Sequence, residues 1–418
     1  MDIKIFANKP EIITLKSGLN VHLIHEKTKV NYAQIDIPFG SFNLNYEVDG
    51  EVYDITPGLA HFMEHQMFQM KEGDAFKKLS NLGVSANALT TYRQTSYTLN
   101  GSYNFIEALL YLIEVVETPY FTKTSIENEK KIIKEEIMMY EDDKDTITHQ
   151  KLYEMMLFVH PMLHDILGNV ENIQKITKEE LDRVYEHFYK SKQRQLIILG
   201  DLDFELLKSK LYELDYVTKD VTVKTITFKE PNQVKQTEDQ IFIDVTMPSL
   251  LMGIKYNLSR TDEFSLFKTE MSILFLMQML FGNQSSFAEE MVKVGLINDG
   301  FNMNVTMEDE TMIFVIDNQT EDPKLLAQKM LKYYFEDGLD ALTNKTFNTL
   351  KRAYLGSYIM ALDDIENRIF LYGKYHLAGL SLEDAILYLN NFELDDILSI
   401  YHAIKMEFIS KLYVYPKS

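Results

Sequence analysis

The feature that most limits what this chain can fold into is a repeated order of elements. LGVSANALTTYRQTSYTLNG in the first half parallels VGLINDGFNMNVTMEDETMIFVIDN in the second, and a helical stretch follows each. Self-similarity at so long a period predicts duplicated units, each closing its own core. The first half opens with strand-like runs at Ile12 to Leu15, Val21 to Ile24 and Ala33 to Pro38, the first two joined by a Lys16-Ser17-Gly18 turn. A helix is expected from Leu59 to roughly Met70, with Thr56 as its cap and Pro57 in its first turn. Strand character returns over Gly83 to Tyr97, helical periodicity over Ile106 to Val116 and Ser125 to Tyr140, and a strand over Arg194 to Leu199. The second half gives strands at Ile241 to Asn257, an apolar helix at Thr269 to Phe281, a strand at Val305 to Ile316 and a helix at Leu325 to Phe335. The expected class is therefore α+β: two similar domains, each a mostly antiparallel sheet packed with helices on one face. Residues 1–214 and 239–418 form the domains, and 215–238, rich in Lys, Thr, Gln and Asp and interrupted by Pro231, the linker.

Composition removes several function classes. With no cysteine among 418 residues, disulfides, thiolate metal sites and a cysteine nucleophile are excluded, so any metal must be held by His and carboxylates. The 63 acidic residues against 42 basic ones give a net charge of −21, which repels nucleic acid and anionic membranes. No uninterrupted apolar run reaches the length of about 18 residues that a membrane helix needs, so no spanning segment is expected. The start, MDIKIFANKPEIITL, lacks the pattern of a secretory signal, and a cytoplasmic location is the expectation.

The chemistry concentrates in His61-Phe62-Met63-Glu64-His65, which has the form HxxEH. On a helix, residues four apart share a face, so the two imidazoles can converge on one metal ion, while Glu64 lies beside them as a general base. Random placement gives at most roughly 0.04 such matches in a chain of this composition. A catalytic zinc site needs a third protein ligand, and the helix Ser125 to Tyr140 offers Glu127, Glu129, Glu135 and Glu136. Glu129 and Glu136 lie on one face, since seven residues make nearly two turns, and either could reach an inner site. His22, His25, His149, His187, His376 and His402 have no partner at ligand spacing and are read as structural or surface residues. His160 and His164 are four apart, but Pro161 breaks the helix that would bring them together.

The string GLAHFMEHQMF, together with EKKIIKEEIMMYEDD, resembles the pitrilysin, insulinase and mitochondrial processing peptidase superfamily of zinc peptidases, and the length resembles its bacterial half-length branch. GVSANALT, the His160-Pro161 and Gly168 positions, and FGNQSSFAEEMVKVGLI extend the resemblance along the chain. It implies one zinc ion per chain held by His61, His65 and Glu136, with Glu64 as the base and Glu129 orienting a ligand. It also implies that peptide substrate lies as an added strand along Ser85 to Leu89, with Asn87 and Ala88 in contact. Arg368 and Tyr375, seven residues apart, match the spacing of the pair that holds substrate from the second domain; Tyr372 is the nearby alternative. In half-length members the two parts meet across a dimer, so the resemblance implies a homodimer or, alternatively, a heterodimer with a related chain lacking the zinc motif. Gly282 to Ser286 is not markedly glycine-rich, which favours general peptide cleavage or maturation of a small peptide over presequence processing. A catalytically silent, peptide-holding subunit is the rival expectation.

Overall fold

The computed structural model describes residues 5–216, 221–226, 228–258, 263–307 and 309–417. The chain divides into two compact units, but not at a single point. Unit 1 takes Met1–Met139, His164–Thr227 and Leu362–Leu382; unit 2 takes Tyr140–Leu163, Phe228–Ala361 and Glu383–Ser418. The contiguous division expected from the sequence is thus crossed twice, because one helical segment of each half packs into the other unit. The expected linker is mostly irregular but tied down at points: Lys224–Thr225 pairs with Tyr46 and Glu47 in unit 1, and Glu230 is buried in unit 2. Residues 217–220 and 227 of that linker lie outside the described residues.

Unit 1 is built on six strands: β1 (Glu11–Thr14), β2 (Asn20–His25), β3 (Asn31–Ile37), β4 (Ser85–Thr90), β5 (Thr95–Gly101) and β6 (Gln195–Gly200). Their order is β1-β2-β6-β3-β5-β4, antiparallel except for β2 beside β6. Unit 2 repeats the pattern, among the described residues without an equivalent of β1. Its strands are β7 (Glu238–Ile243), β8 (Ser249–Asn257), β9 (Asn302–Met307), β10 (Thr311–Gln319) and β11 (Ile409–Pro416), in the order β7-β11-β8-β10-β9 with β7 and β11 parallel. Position by position, β7, β11, β8, β10 and β9 take the places of β2, β6, β3, β5 and β4, which is the duplication legible in the sequence.

The helices include α1 (Leu59–Met67), α2 (Phe105–Glu117), α3 (Lys123–Glu141) and α6 (Ile365–Leu377) in unit 1, and α4 (Lys144–Met156) and α5 (Glu263–Phe281) in unit 2. Strand alternation sorts them onto faces. Ala33, Ile35 and Ile37 of β3 point into the core that also holds Leu59, Phe62 and Met63 of α1 and Leu109, Leu112 and Val116 of α2. Each of the larger of these side chains contributes about 1.5–3 kcal/mol by leaving water. Gln34 and Asp36 point the other way, and α6 covers them. Asp36 accepts from Gln34 at 2.7 Å, Ser96 at 2.6 Å and Gln195 at 2.8 Å, and Gln195 Nε2 also donates to the Gly373 carbonyl at 2.9 Å. Burial raises the Asp36 carboxyl above its ordinary value against the pull of those hydrogen bonds. A Cβ at Gly373 would sit 2.5 Å from Asp36 Oδ2, so α6 lies this close only because residue 373 is glycine. In unit 2, α4 packs against β7, β8 and β11.

Among the described residues, the Phe264–Lys293 stretch is long and apolar enough to cross a bilayer by length and composition, contrary to the expectation of no spanning-length segment, because polar residues interrupt its apolar runs. In the structure 67% of the residues in its most apolar window are buried, as in a core helix.

Candidate metal centre

The start of α1 is set by two glycines pressed together. Gly58 has φ 89° and Gly168 φ 72°, both in the left-handed region; a Cβ at Gly58 would meet the Leu167 carbonyl at 2.5 Å, and one at Gly168 the Pro57 carbonyl at 2.6 Å. Thr56 does not cap the helix as expected, since the residue before α1 is Gly58 and no side chain bonds its first turn. Thr56 is instead tied to Glu180, through its N–H at 2.8 Å and its hydroxyl at 3.1 Å. The entry to α1 is therefore fixed from residues more than a hundred positions away, and α1 ends at Met67.

One face of α1 presents His61 and His65 with ring centroids 4.5 Å apart, while Phe62 and Met63 fill the core. Glu136, from α3, faces both rings: Oε1 is 3.8 Å from His61 Nε2 and Oε2 is 3.9 Å from His65 Nε2. These separations are too long for hydrogen bonds. They are near the spacing of roughly 3.4 Å between donors that share a tetrahedral zinc ion at about 2.1 Å. One ligand atom from each of His61, His65 and Glu136 lies within 4.8 Å of the others. The donor set, two imidazoles and a carboxylate, is that of a hydrolytic zinc site, and the residues fit the ion. Of the four candidate glutamates, Glu127 and Glu135 are exposed, and the structure brings Glu136 and Glu129 to the histidines.

Glu129 is buried and accepts from His65 Nδ1 at 2.8 Å, which leaves the His65 Nε2 lone pair directed at the cluster. Gln66 holds that carboxylate in turn: its Nε2 lies 3.4 Å from Glu129 Oε2, and its carbonyl accepts from Ser125 Oγ at 3.1 Å. His61 Nδ1 is buried with no hydrogen-bond partner. Burial, then the neighbouring His65, pull the His61 pKa down to about 3, so its ring is neutral and available as a ligand at neutral pH. Burial also pulls on His65, but the hydrogen bond and charge of Glu129, with Glu64 and Glu136 behind, raise it overall. Glu64 is half-buried, and desolvation raises its carboxyl despite the opposing hydrogen bond from Thr90 and charge of His65. Thr90 Oγ1 donates to Glu64 Oε2 at 2.5 Å.

The chain matches known proteins over the region that carries the cluster. The profile described as Insulinase (Peptidase family M16) matches residues 21–170, which span HxxEH and Glu136. An uncharacterized zinc protease of Bacillus subtilis, YmfH, is 30% identical over 97% of this chain and 96% of its own length. The chain belongs to peptidase family M16, the insulinase family. Its fold is that of an M16-like peptidase structure from Alicyclobacillus acidocaldarius, with a TM-score of 0.91 at 24% identity over 100% of both chains. A Pseudomonas fluorescens structure described as a peptidase M16 inactive domain shares the fold at a TM-score of 0.72 and 16% identity, covering 98% of each chain. The family-level reading is thus a zinc peptidase of half-length type, and this M16 chain keeps His61, Glu64, His65 and Glu136 together.

The other expected site residues divide. Asn87 and Ala88 lie mid-way along β4, which pairs with β5 alone and so ends the sheet. Arg368 and Tyr375 are not brought to the metal cluster. They sit on α6, across the sheet of unit 1 from α1. Arg368 is engaged there, Nη2 at 2.7 Å from Glu26 and Nη1 donating to the Ile5 carbonyl at 2.9 Å. Tyr372, the alternative, shares a hydrogen bond of 2.8 Å with His22 Nδ1. His160 is structural, its Nε2 2.9 Å from Asp309 Oδ2. The sequence reading missed Thr90, Gln66 and Glu180. Thr90 stood in the quoted SANALT run and Gln66 beside the motif, whereas no local signal pointed to Glu180.

Proposed function

We propose that this chain is a zinc endopeptidase that cuts short, unstructured peptides. The observation that carries the reading is the convergence of His61, His65 and Glu136 at ligand spacing with Glu64 alongside. A bound zinc ion would polarise the peptide carbonyl and bring the pKa of its water towards about 7. Glu64 takes the proton of the attacking water and returns it to the leaving amine. His65 is held in the ligating tautomer by Glu129. The free side of β4 accepts the substrate backbone as an added strand, with Asn87 and Ala88 beside it. Backbone pairing demands an extended peptide, which selects flexible chains over folded ones.

The placement of Arg368 favours a second reading of the quaternary arrangement. Every copy of this chain carries the same Arg368 bound to Glu26 and the Ile5 carbonyl, so a second identical copy adds no free Arg368. A related but non-identical chain could supply the substrate-holding groups, and a heterodimer is then preferred to a homodimer. The test is zinc content and cleavage of a quenched, unstructured peptide by wild type and Glu64→Gln. One zinc per chain in both, with cleavage lost only in the variant, supports the self-sufficient peptidase. Zinc without cleavage by wild type supports the need for a partner, and neither zinc nor cleavage returns the chain to a silent, peptide-holding role.

A further inference from the structure

The hydroxyl of Thr90 lies where the substrate strand and the general base meet. It ends β4, is buried, and donates to Glu64 Oε2 at 2.5 Å. Glu64 hangs from α1 and Thr90 from the strand against which peptide is proposed to add, so this bond joins the two parts of the site.

The position of Thr90 is held from several sides. It pairs in register with Thr95, whose hydroxyl donates to the Phe39 carbonyl at 2.8 Å. The turn between them is closed by Thr91 N–H to the Gln94 carbonyl at 2.8 Å and by Gln94 N–H to Thr91 Oγ1 at 3.1 Å. That turn lies against the backbone of residues 40–42: Ser41 N–H bonds the Thr91 carbonyl at 3.1 Å, and Phe42 N–H bonds the Tyr92 carbonyl at 2.9 Å. A Cβ on Gly40 would meet the Thr91 and Tyr92 carbonyl oxygens at 2.5 Å, so nothing larger fits beneath it. The backbone that carries the hydroxyl is thus fixed, and the Thr90 N–H also bonds the Glu64 carboxylate, so the end of the strand holds the carboxylate through backbone and side chain together.

We propose that Thr90 is a positioning residue for the general base: its hydroxyl occupies Glu64 Oε2, sets the plane of the carboxylate relative to β4, and leaves Oε1 to receive the proton of the attacking water. The inference rests on the peptidase reading above. It separates two tasks on one strand, since backbone pairing along Ser85 to Leu89 binds the peptide while the Thr90 side chain aligns the base with it. Loss of the hydroxyl should therefore lower turnover and leave peptide binding alone.

The experiment compares zinc-loaded wild type, Thr90→Val, Thr90→Ala and Thr90→Ser for zinc content, thermal unfolding, and kcat and KM on a quenched peptide, together with a crystal structure of Thr90→Val. Valine keeps the shape and removes the donor; alanine serves if valine does not fold. The expected result is one zinc per chain throughout, kcat lowered about tenfold to a hundredfold by Val or Ala with KM within about twofold, and rescue by Ser. The crystal structure should show the Glu64 carboxylate displaced. A kcat within about twofold of wild type for Val, a Ser variant as impaired as Val, or an unmoved Glu64 in the Val structure overturns the proposal. If wild type binds zinc but cleaves no peptide, a partner is needed as above; if it does neither, the peptidase reading fails; in both cases the Glu64 position in the Val structure still decides the role of Thr90.

Discussion

Replacing Lys255 by Met tests how unit 2 holds the helix it takes from the first half of the chain. Lys255 Nζ lies 2.8 Å from Glu230 Oε1 and 2.8 Å from the Met156 carbonyl at the end of α4, with the Lys255 and Glu230 side chains 0% and 1% exposed. Glu230 also accepts the N–H groups of Phe158, Val159 and His160 at 3.0 to 3.2 Å, so one carboxylate gathers the whole turn after α4. Removing one partner of a buried pair costs about 3–5 kcal/mol. The three backbone donors remain on the carboxylate and put the expected cost near the lower figure, about 3 kcal/mol, the Met156 carbonyl losing its donor as well. Glu230→Gln should cost a similar amount, and the double variant about 1–3 kcal/mol less than the sum. Urea unfolding gives the energies, and hydrogen exchange over Leu157–Leu163 shows whether the loss is local. Burial pushes the Glu230 carboxyl up, but Lys255 and the N–H donors outweigh it and hold it below its ordinary value of 4.5. A depressed carboxylate contributes its full stability above the unfolded value and loses it as pH falls through the folded one, so the difference between wild type and Lys255→Met should shrink below about pH 4. A Lys255→Met protein within about 1 kcal/mol of wild type, with unchanged exchange over that turn, refutes the argument.

Glu129→Gln should weaken zinc binding about tenfold to a hundredfold by chelator competition while leaving residual cleavage, and complete loss of zinc would contradict an orienting role through His65. Gly58→Ala should destabilise the protein by more than about 2 kcal/mol, because a positive φ and a carbonyl at 2.5 Å act together. Gly50→Ala, at φ 84° with nothing within 4 Å, should cost only about 1 kcal/mol, and equal losses in thermal unfolding would refute the steric account. Burial, with His376 beside it, lowers the His22 pKa to about 4. Its stabilisation is present above the ordinary value of 6.5 and is lost as pH falls towards about 4, by up to about 3 kcal/mol. Denaturant midpoints across that range should flatten in His22→Gln, and an unchanged slope would show that His22 does not carry it.

What the sequence revealed of the site was what helical and strand periods convert directly into position. The spacing of four from His61 to His65, and that of seven from Glu129 to Glu136, each define one face of one helix, and the structure joins the two faces. The spacing of seven from Arg368 to Tyr375 obeys the same rule, but the period says only that two side chains share a helix face, not which sheet that helix will cover. Ile369, Tyr372, Gly373 and His376 turn α6 onto the sheet of unit 1, opposite α1, and that docking is written partly in residues far away: Asp36, Gln195 and His22. In isolation Gln34 and Asp36, alternating with Ala33, Ile35 and Ile37, read as the solvent side of a half-buried strand, whereas all of β3 is buried. The sequence feature that answers to this docking is Gly373. A glycine inside a helix costs about 1 kcal/mol relative to alanine and calls for a compensating close approach. Here that approach is the carboxylate of Asp36, whose side chain needs the space a Cβ would fill. A helical glycine on one side and an acidic residue in an otherwise apolar strand on the other are each weak signals; only as complements do they place α6, and with it Arg368, on the far face of the sheet from the metal cluster.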